Sequence, residues 1–292
     1  MWTKVFPEYL MGRISEKTSY HRLPLNCENK HYEAILRYDC GVFFVFKCKT
    51  SHIKIKTKIH FTWPTKSARS NKKIMSEIQV LGKLDGKWEL LNKVTHSGWP
   101  EPDKCVVTDY DLFGLDYGEF QICLPAQGRV DEYLWIETDE EPTFKILDLK
   151  AVFLGSSVSQ DNNDLTQSNL CCYLYRKLGI NTATLGISTY HSFHCPELLE
   201  QLKSLVPNTK IIVMDLYHVK REELLKFKDE FKQNVYYLII NSICRQDVIN
   251  LINEFKWLDV IHIDGNGRFD EVHLNAYGTT IYANALIEKG IL

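Results

Sequence analysis

Ser157 stands just past a Gly155-Ser156 turn that directly follows the apolar run Ala151-Val152-Phe153-Leu154. A strand that runs into Gly-x-Ser presents a hydroxyl at the edge of a sheet, which is where α/β proteins keep nucleophiles. Such a hydroxyl attacks poorly until a base takes its proton. Much later the chain supplies Asp270-Glu271-Val272-His273, a carboxylate and an imidazole close together just ahead of the last helical segment. Ser157, His273 and Asp270 therefore form a candidate triad. In it the serine attacks, the histidine moves the proton, and the aspartate orients the imidazole and stabilises its charged form. The bland alternative is a helix-capping Ser157 and a packing His273. Their placement after the first and last strands of one sheet, at the same edge, favours the triad.

Other residues could serve the same chemistry. At the entry to a helix, the backbone N–H of Ser157 can face a developing oxyanion, and Gly155 belongs to the same turn. Asp215, at the end of a later strand, can contact substrate or hydrogen-bond the Ser157 turn; aspartates in such places commonly bond backbone. His191-Ser192-Phe193-His194-Cys195 resembles a metal run only superficially, because a site needs further ligands converging in space. No metal and no cofactor are expected. Gly265-Asn266-Gly267 marks a turn rather than a dinucleotide fingerprint.

From about residue 148, short apolar strands alternate with amphipathic helices. Strands are expected at Leu147 to Leu154, Thr182 to Gly186, Lys210 to Met214, Val235 to Ile240 and Leu258 to Ile263. Helices follow around Leu165 to Leu178, Pro196 to Leu205, Arg221 to Phe231, Gln246 to Phe255 and Asn275 to Lys289. Such β/α succession implies a parallel sheet with helices on both faces, working at the strands' carboxyl ends.

The preceding half reads as β structure. In Ile53 to Phe61 apolar residues alternate with Lys54, Lys56, Lys58 and His60, giving one core face and one wet face. That lysine row suits a solvated or edge strand, or a grip on an anionic substrate. Further strands are expected at His31 to Tyr38, Val42 to Lys47, Ser76 to Leu81, Trp88 to Asn92, Gly118 to Leu124 and Glu132 to Thr138, with turns at Asp85-Gly86 and Pro125 to Gly128. Many short strands without helices mean an antiparallel sandwich or jelly roll. The expected division is residues 1–147 and 148–292.

The 292 residues are 45% hydrophobic, enough for one large core or two ordinary ones, and the net charge is -2. That balance argues against nucleic acid as a partner. The N-terminus lacks the roughly 7–15-residue apolar core of a secretory signal. No segment approaches the roughly 18 apolar residues of a membrane span. A cytoplasmic protein without a membrane partner is expected. Nine cysteines without a CxxC pair suggest buried free thiols.

On these residues the chain resembles the SGNH, or GDSL-type, hydrolase family. The family's first block, Gly-Asp-Ser then Ile/Val-Thr-Gln, appears as Gly155-Ser156-Ser157-Val158-Ser159-Gln160. Its last block, Asp-x-x-His before a Gly-containing helix, appears as Asp270-Glu271-Val272-His273 with Asn275 and Gly278. The resemblance covers roughly residues 148–292. It implies a three-layer α/β/α, flavodoxin-like domain with a five-stranded parallel sheet, and cleavage of esters by Ser157, His273 and Asp270. The first half, most recognisably Ser76 to Thr138, resembles the β-sandwich (jelly-roll-like) that precedes the catalytic domain in some bacterial members.

Two blocks depart from the family. Where it places a glycine N–H in the oxyanion hole, after Leu185-Gly186-Ile187-Ser188, this chain has Thr189. Where it places Gly-x-Asn, this chain has Met214-Asp215-Leu216-Tyr217-His218. A backbone N–H survives at Thr189. For the asparagine, either His218 or Tyr217 substitutes or the hole is weaker.

The reading that follows is a serine hydrolase, an esterase or deacylase acting through an acyl-enzyme on a carbohydrate or small-metabolite ester. An acyltransferase or amide- or peptide-tailoring enzyme with the same triad is one alternative, and a non-catalytic binding module descended from a hydrolase is another. A homo-oligomer is compatible with the sequence.

Overall fold

The computed structural model describes residues 1–14, 39, 41–60, 78–93, 105–112, 116–125, 129–156, 158, 169–187, 191–205, 208–241, 245–268 and 273–292. The expected strand at 31–38 lies outside the described residues.

Two antiparallel sheets make up the first half. One has the order β1-β8-β3-β6, from Trp2–Lys4 (β1), His52–His60 (β3), Cys105–Asp111 (β6) and Arg129–Glu137 (β8). The other has the order β5-β4-β7-β2-β9, from Phe43–Lys47 (β2), Gln79–Leu84 (β4), Lys87–Lys93 (β5), Glu119–Cys123 (β7) and Thr143–Phe144 (β9). Their facing sides interdigitate through Phe44, Phe46, Ile53, Ile55, Val80, Phe120, Ile122, Leu134 and Ile136. Asp85 and Gly86, at φ 49 and 80, close the β4–β5 hairpin with the two positive-φ residues that suit the strands' twist.

The Ile53 alternation is realised with Ile53 and Ile55 buried. Because β3 lies between β8 and β6, the lysines stand on a solvated face rather than an edge. Lys54 Nζ is 3.6 Å from Glu137 and 3.8 Å from Asp109. Lys56 and Lys58 lie 5.3 and 5.9 Å from the Tyr133 ring centroid.

The second half is a parallel sheet in the order β11-β10-β12-β13-β14, from Leu149–Leu154 (β10), Asn181–Thr184 (β11), Lys210–Val213 (β12), Val235–Asn241 (β13) and Asp259–His262 (β14). Alternation along its strands feeds two cores. Val152, Leu154, Ile211, Val213 and Ile239 face Pro196–Leu205 (α2), Arg221–Glu230 (α3) and Gln246–Glu254 (α4). Ala151, Phe153, Ile212, Leu238 and Ile240 face Leu170–Leu178 (α1) and Ala276–Glu288 (α5). The result is the expected three-layer α/β/α arrangement preceded by a β-sandwich. No helix among the described residues is long and apolar enough to cross a membrane.

The run Phe43-Phe44-Val45-Phe46 is apolar on both sides of the strand because both sides are covered. Phe44 and Phe46 enter the sandwich core, whereas Phe43 and Val45 join Leu81 and Cys123 in the core beneath α1. Polar contacts cross the same boundary. The Tyr175 hydroxyl donates to Glu119 at 2.8 Å, Arg176 donates to Gln121 Oε1 at 2.8 Å, and Gln121 donates to the Cys172 carbonyl at 3.3 Å. Burial alone would raise the Glu119 carboxyl, but Tyr175, Lys145 and Lys83 together hold it below the usual carboxylate range. Cys48, Cys123, Cys171, Cys172 and Cys195 are free thiols, all but Cys48 of them buried.

Candidate active site

Chain order against sheet order places the site. From β10 the chain moves to one neighbour, β11, and then crosses back to the other, β12. The carboxyl end of β10 is therefore the topological switch point, where open α/β sheets leave a crevice for ligands.

The turn leading into Ser157 occupies that point and is tied to both neighbouring loops. Gly155 N–H donates to Ser192 Oγ at 3.0 Å, and the Gly155 carbonyl accepts from the Ser192 N–H at 3.0 Å. On the other side, Ser156 N–H donates to Asp215 Oδ2 at 2.9 Å. The other carboxylate oxygen, Oδ1, accepts from Tyr217 N–H at 3.2 Å. Ser156, Ser192 and Asp215 are all buried.

His191 completes the network. Its Nδ1 accepts from Phe193 N–H at 3.2 Å, which leaves the proton on Nε2, and Nε2 donates to the Asp215 carbonyl at 2.9 Å. Burial lowers its pKa to about 3, so the imidazole is neutral at ordinary pH. His194, the other histidine of that run, has Nε2 3.2 Å from Glu223. Among the described residues no group of three or more His, Cys, Asp or Glu side chains is placed to hold a metal.

His218 is exposed on the loop after β12 at φ 61, a backbone conformation that costs an ordinary residue energy. Partial burial and the nearby positive charge of Arg245 lower its pKa. Arg245 lies against the Tyr217 ring at 5.6 Å and is held by Asp247 through contacts of 3.0 and 2.8 Å.

The segment carrying the expected base leaves the carboxyl end of β14. Asp264 Oδ1 accepts from the N–H groups of Asn266 and Gly267, making a tight turn at Gly265–Gly267. Arg268 then reaches back, donating to the carbonyls of Ile263 at 3.0 Å and of Asn241. Leu274 bridges to Arg268, and His273, next to Leu274, is buried. Asn275 caps α5, accepting from Gly278 N–H at 3.0 Å, and its amide donates to the Asn266 and Arg268 carbonyls.

Of the expected site residues, Gly155, Asp215, His218 and His273 are thus placed at the carboxyl ends of β10, β12 and β14. Ser157, Thr189 and Asp270 lie outside the described residues. The sequence gives no sign of the part played by Ser192, and the run that holds His191 resembles a metal site only superficially; Ser192 bonds the Gly155-Ser156 turn, and His191 bonds the Asp215 carbonyl. Arg268 was also missed. A buried arginine bonding carbonyls leaves no sequence signature beyond its place after a Gly-Asn-Gly turn.

No family model and no curated protein matches the chain. Solved structures do. A protein described as a GDSL-like lipase, from Bacteroides ovatus, matches with a TM-score of 0.74 at 17% identity, covering 100% of this chain and 98% of that one. The salicylyl-acyltransferase SsfX3 from a tetracycline biosynthetic pathway matches at 0.62 and 12% identity, covering 100% and 98%. A family two carbohydrate esterase from Cellvibrio japonicus matches at 0.53 and 11% identity, covering 99% and 97%. At these identities the likeness is one of fold, and it extends over the sandwich and the α/β/α layers together.

Proposed function

We propose that the protein is a serine hydrolase of the SGNH type that cleaves an ester of a carbohydrate or small metabolite. Ser157 Oγ attacks the acyl carbonyl while His273 takes its proton, with Asp270 orienting the imidazole. The same proton leaves on the alcohol, and water activated by His273 then releases the acyl group from Ser157. The Ser157 and Thr189 N–H groups, with His218, hold the oxyanion. Residues 1–147 form a sandwich that braces this half through a shared core.

The observation that carries this reading is the convergence at one sheet edge. The Gly155-Ser156 turn is clamped at the switch point, His273 is buried beside the Arg268–Leu274 bridge beyond β14, and His218 stands on the loop after β12. The fold shared with a GDSL-like lipase and a carbohydrate esterase supports ester chemistry. A fluorophosphonate probe that reacts with activated serines tests it: wild type labels, whereas Ser157→Ala and His273→Ala do not. Undiminished labelling of Ser157→Ala removes the serine from its role.

Acyl transfer is the second reading, favoured by the whole-chain fold likeness to the salicylyl-acyltransferase. In it an alcohol or amine takes the place of water in releasing the acyl group. Product analysis with an activated acyl donor and a series of alcohols separates the two readings by the ratio of new ester to free acid.

A further inference from the structure

We propose that Asp215, Ser192 and His191 are positioning residues that fix the Ser157 turn from both sides of the switch point and register it against the His218 loop. This rests on Ser157 being the nucleophile, and it gives Asp215 a task away from substrate. Three successive backbone groups precede Ser157: Gly155 N–H, Gly155 C=O and Ser156 N–H. Each is taken by a residue of a neighbouring loop, at 3.0, 3.0 and 2.9 Å. Ser192 comes from the loop after β11 and Asp215 from the loop after β12, the two strands that flank β10. The turn is held laterally in both directions.

The side-chain chemistry matches this task. A carboxylate offers two acceptors, and Asp215 uses one for Ser156 N–H and the other for Tyr217 N–H, so one residue sets the spacing between the Ser157 turn and the backbone next to His218. An amide in its place would turn a donor toward one of those N–H groups. The Asp215 backbone is fixed in turn by His191 Nε2 at 2.9 Å, and His191 adjoins Ser192, so the network closes on itself. Gly155 and Ser156 N–H groups therefore point into the protein. That leaves oxyanion donation to groups farther along the chain. Charge-assisted bonds of this kind are stronger than neutral ones, and displacement of a reacting group by about 1 Å can cost about 100-fold in rate.

Two measurements on the full-length chain test the proposal. The first is amide hydrogen exchange at Gly155 and Ser156. Asp215→Asn is expected to speed exchange at Ser156, and Ser192→Ala at Gly155, each by about tenfold or more with the core strands unchanged. The second is kinetics with p-nitrophenyl acetate and the fluorophosphonate probe. Both variants are expected to lose about tenfold to 100-fold in kcat and in labelling rate with KM unchanged. Wild-type exchange at Ser156 in Asp215→Asn overturns the network. Faster exchange with a wild-type labelling rate overturns the positioning role, as does a raised KM at unchanged kcat, which means contact with substrate. A wild type that protects Ser156 but never labels at Ser157 overturns the nucleophile reading instead. Should Asp215→Asn not fold, Ser192→Ala alone decides between these outcomes.

Discussion

Gly278 in α5 packs directly on Gly267: a Cβ added at Gly278 would stand 2.0 Å from the Gly267 carbonyl oxygen, and one added at Gly267 would stand 2.4 Å from the Ile263 Cγ2. The glycine in the helix is thus explained by the turn it rests on. That turn also accepts the Asn275 N–H at the Gly267 carbonyl, two residues beyond His273. Gly278→Ala must push the Gly265–Gly267 turn aside, an overpacking that costs about 1–3 kcal/mol. Urea unfolding is expected to show that loss, and fluorophosphonate labelling to fall with it, since the displaced turn bonds the chain close to His273.

The neutral His191 makes stability depend on pH in a defined direction. Its pKa is about 3 in the folded protein against an ordinary 6.5, so between these values the unfolded chain binds a proton that the folded one does not. Stability therefore rises with pH across that window, is complete above 6.5, and is lost on acidification. The carboxyls held below their usual values, Glu119, Asp139 and Asp247, add to acid sensitivity only toward the lower end. Thermal melts of wild type and His191→Gln at pH 7, 5.5 and 4.5 check this. The variant is expected to be less stable at pH 7 and to fall less steeply below 6.5.

Tyr175 anchors the sandwich to α1. Its hydroxyl donates to Glu119 at 2.8 Å and accepts from Lys145 Nζ at 3.1 Å. Tyr175→Phe removes a hydrogen bond to a charged acceptor that is itself buried, at a cost of about 2 kcal/mol. The urea midpoint is expected to fall while the slope of the transition stays that of wild type, the sign of lost stability without a change in compactness.

His218 bears the proposed oxyanion role where the family resemblance leads one to look for an asparagine. His218→Ala is expected to lower kcat about 100-fold, the usual cost of one oxyanion donor. His218→Asn is expected to recover part of it, since asparagine both donates and tolerates the positive φ of 61 at this position. Steady-state kinetics of the two variants on p-nitrophenyl acetate provide the check; an Ala variant as active as wild type removes His218 from the hole.

The second half was readable because its periodicity is strong and its helices carry their own caps and stops, as Asn275 and Gly179 do. Helix α2 runs over Pro196–Leu205, as the sequence indicates, and α1 begins at Leu170 where Asn169 caps it, later than the apolar spacing alone suggests. In the sandwich the elements that escaped notice are those that pairing alone creates. Trp2–Lys4 is a strand because β8 accepts it at the sheet's edge. Cys105–Asp111, rich in acidic and polar residues, is one because β3 pairs with it along its length. The two residues of Thr143–Phe144 are a strand only through β2. In the site, the Ser157 turn and the histidine-bearing loop could be placed from strand order. Asp215 as a partner of the turn before Ser157 could be expected from its place after β12, and its bond to the Ser156 N–H agrees. The bonds of Ser192 and His191 could not, because each joins loops that lie far apart in the chain and meet only when the sheet order is known.

The sheet β5-β4-β7-β2-β9 is covered on both faces. With Phe44 and Phe46 buried on one side and Phe43 and Val45 on the other, it belongs to two hydrophobic interiors at once. A sheet shared in this way welds its neighbours into one folding unit, so the halves should melt in a single transition and neither should be a portable module. Residues 148–292 expressed alone would expose the Tyr175 face of α1, which packs on Phe43 and Trp88, to water and be expected to aggregate. Shuffling of the α/β/α half among proteins would have to carry the sandwich with it.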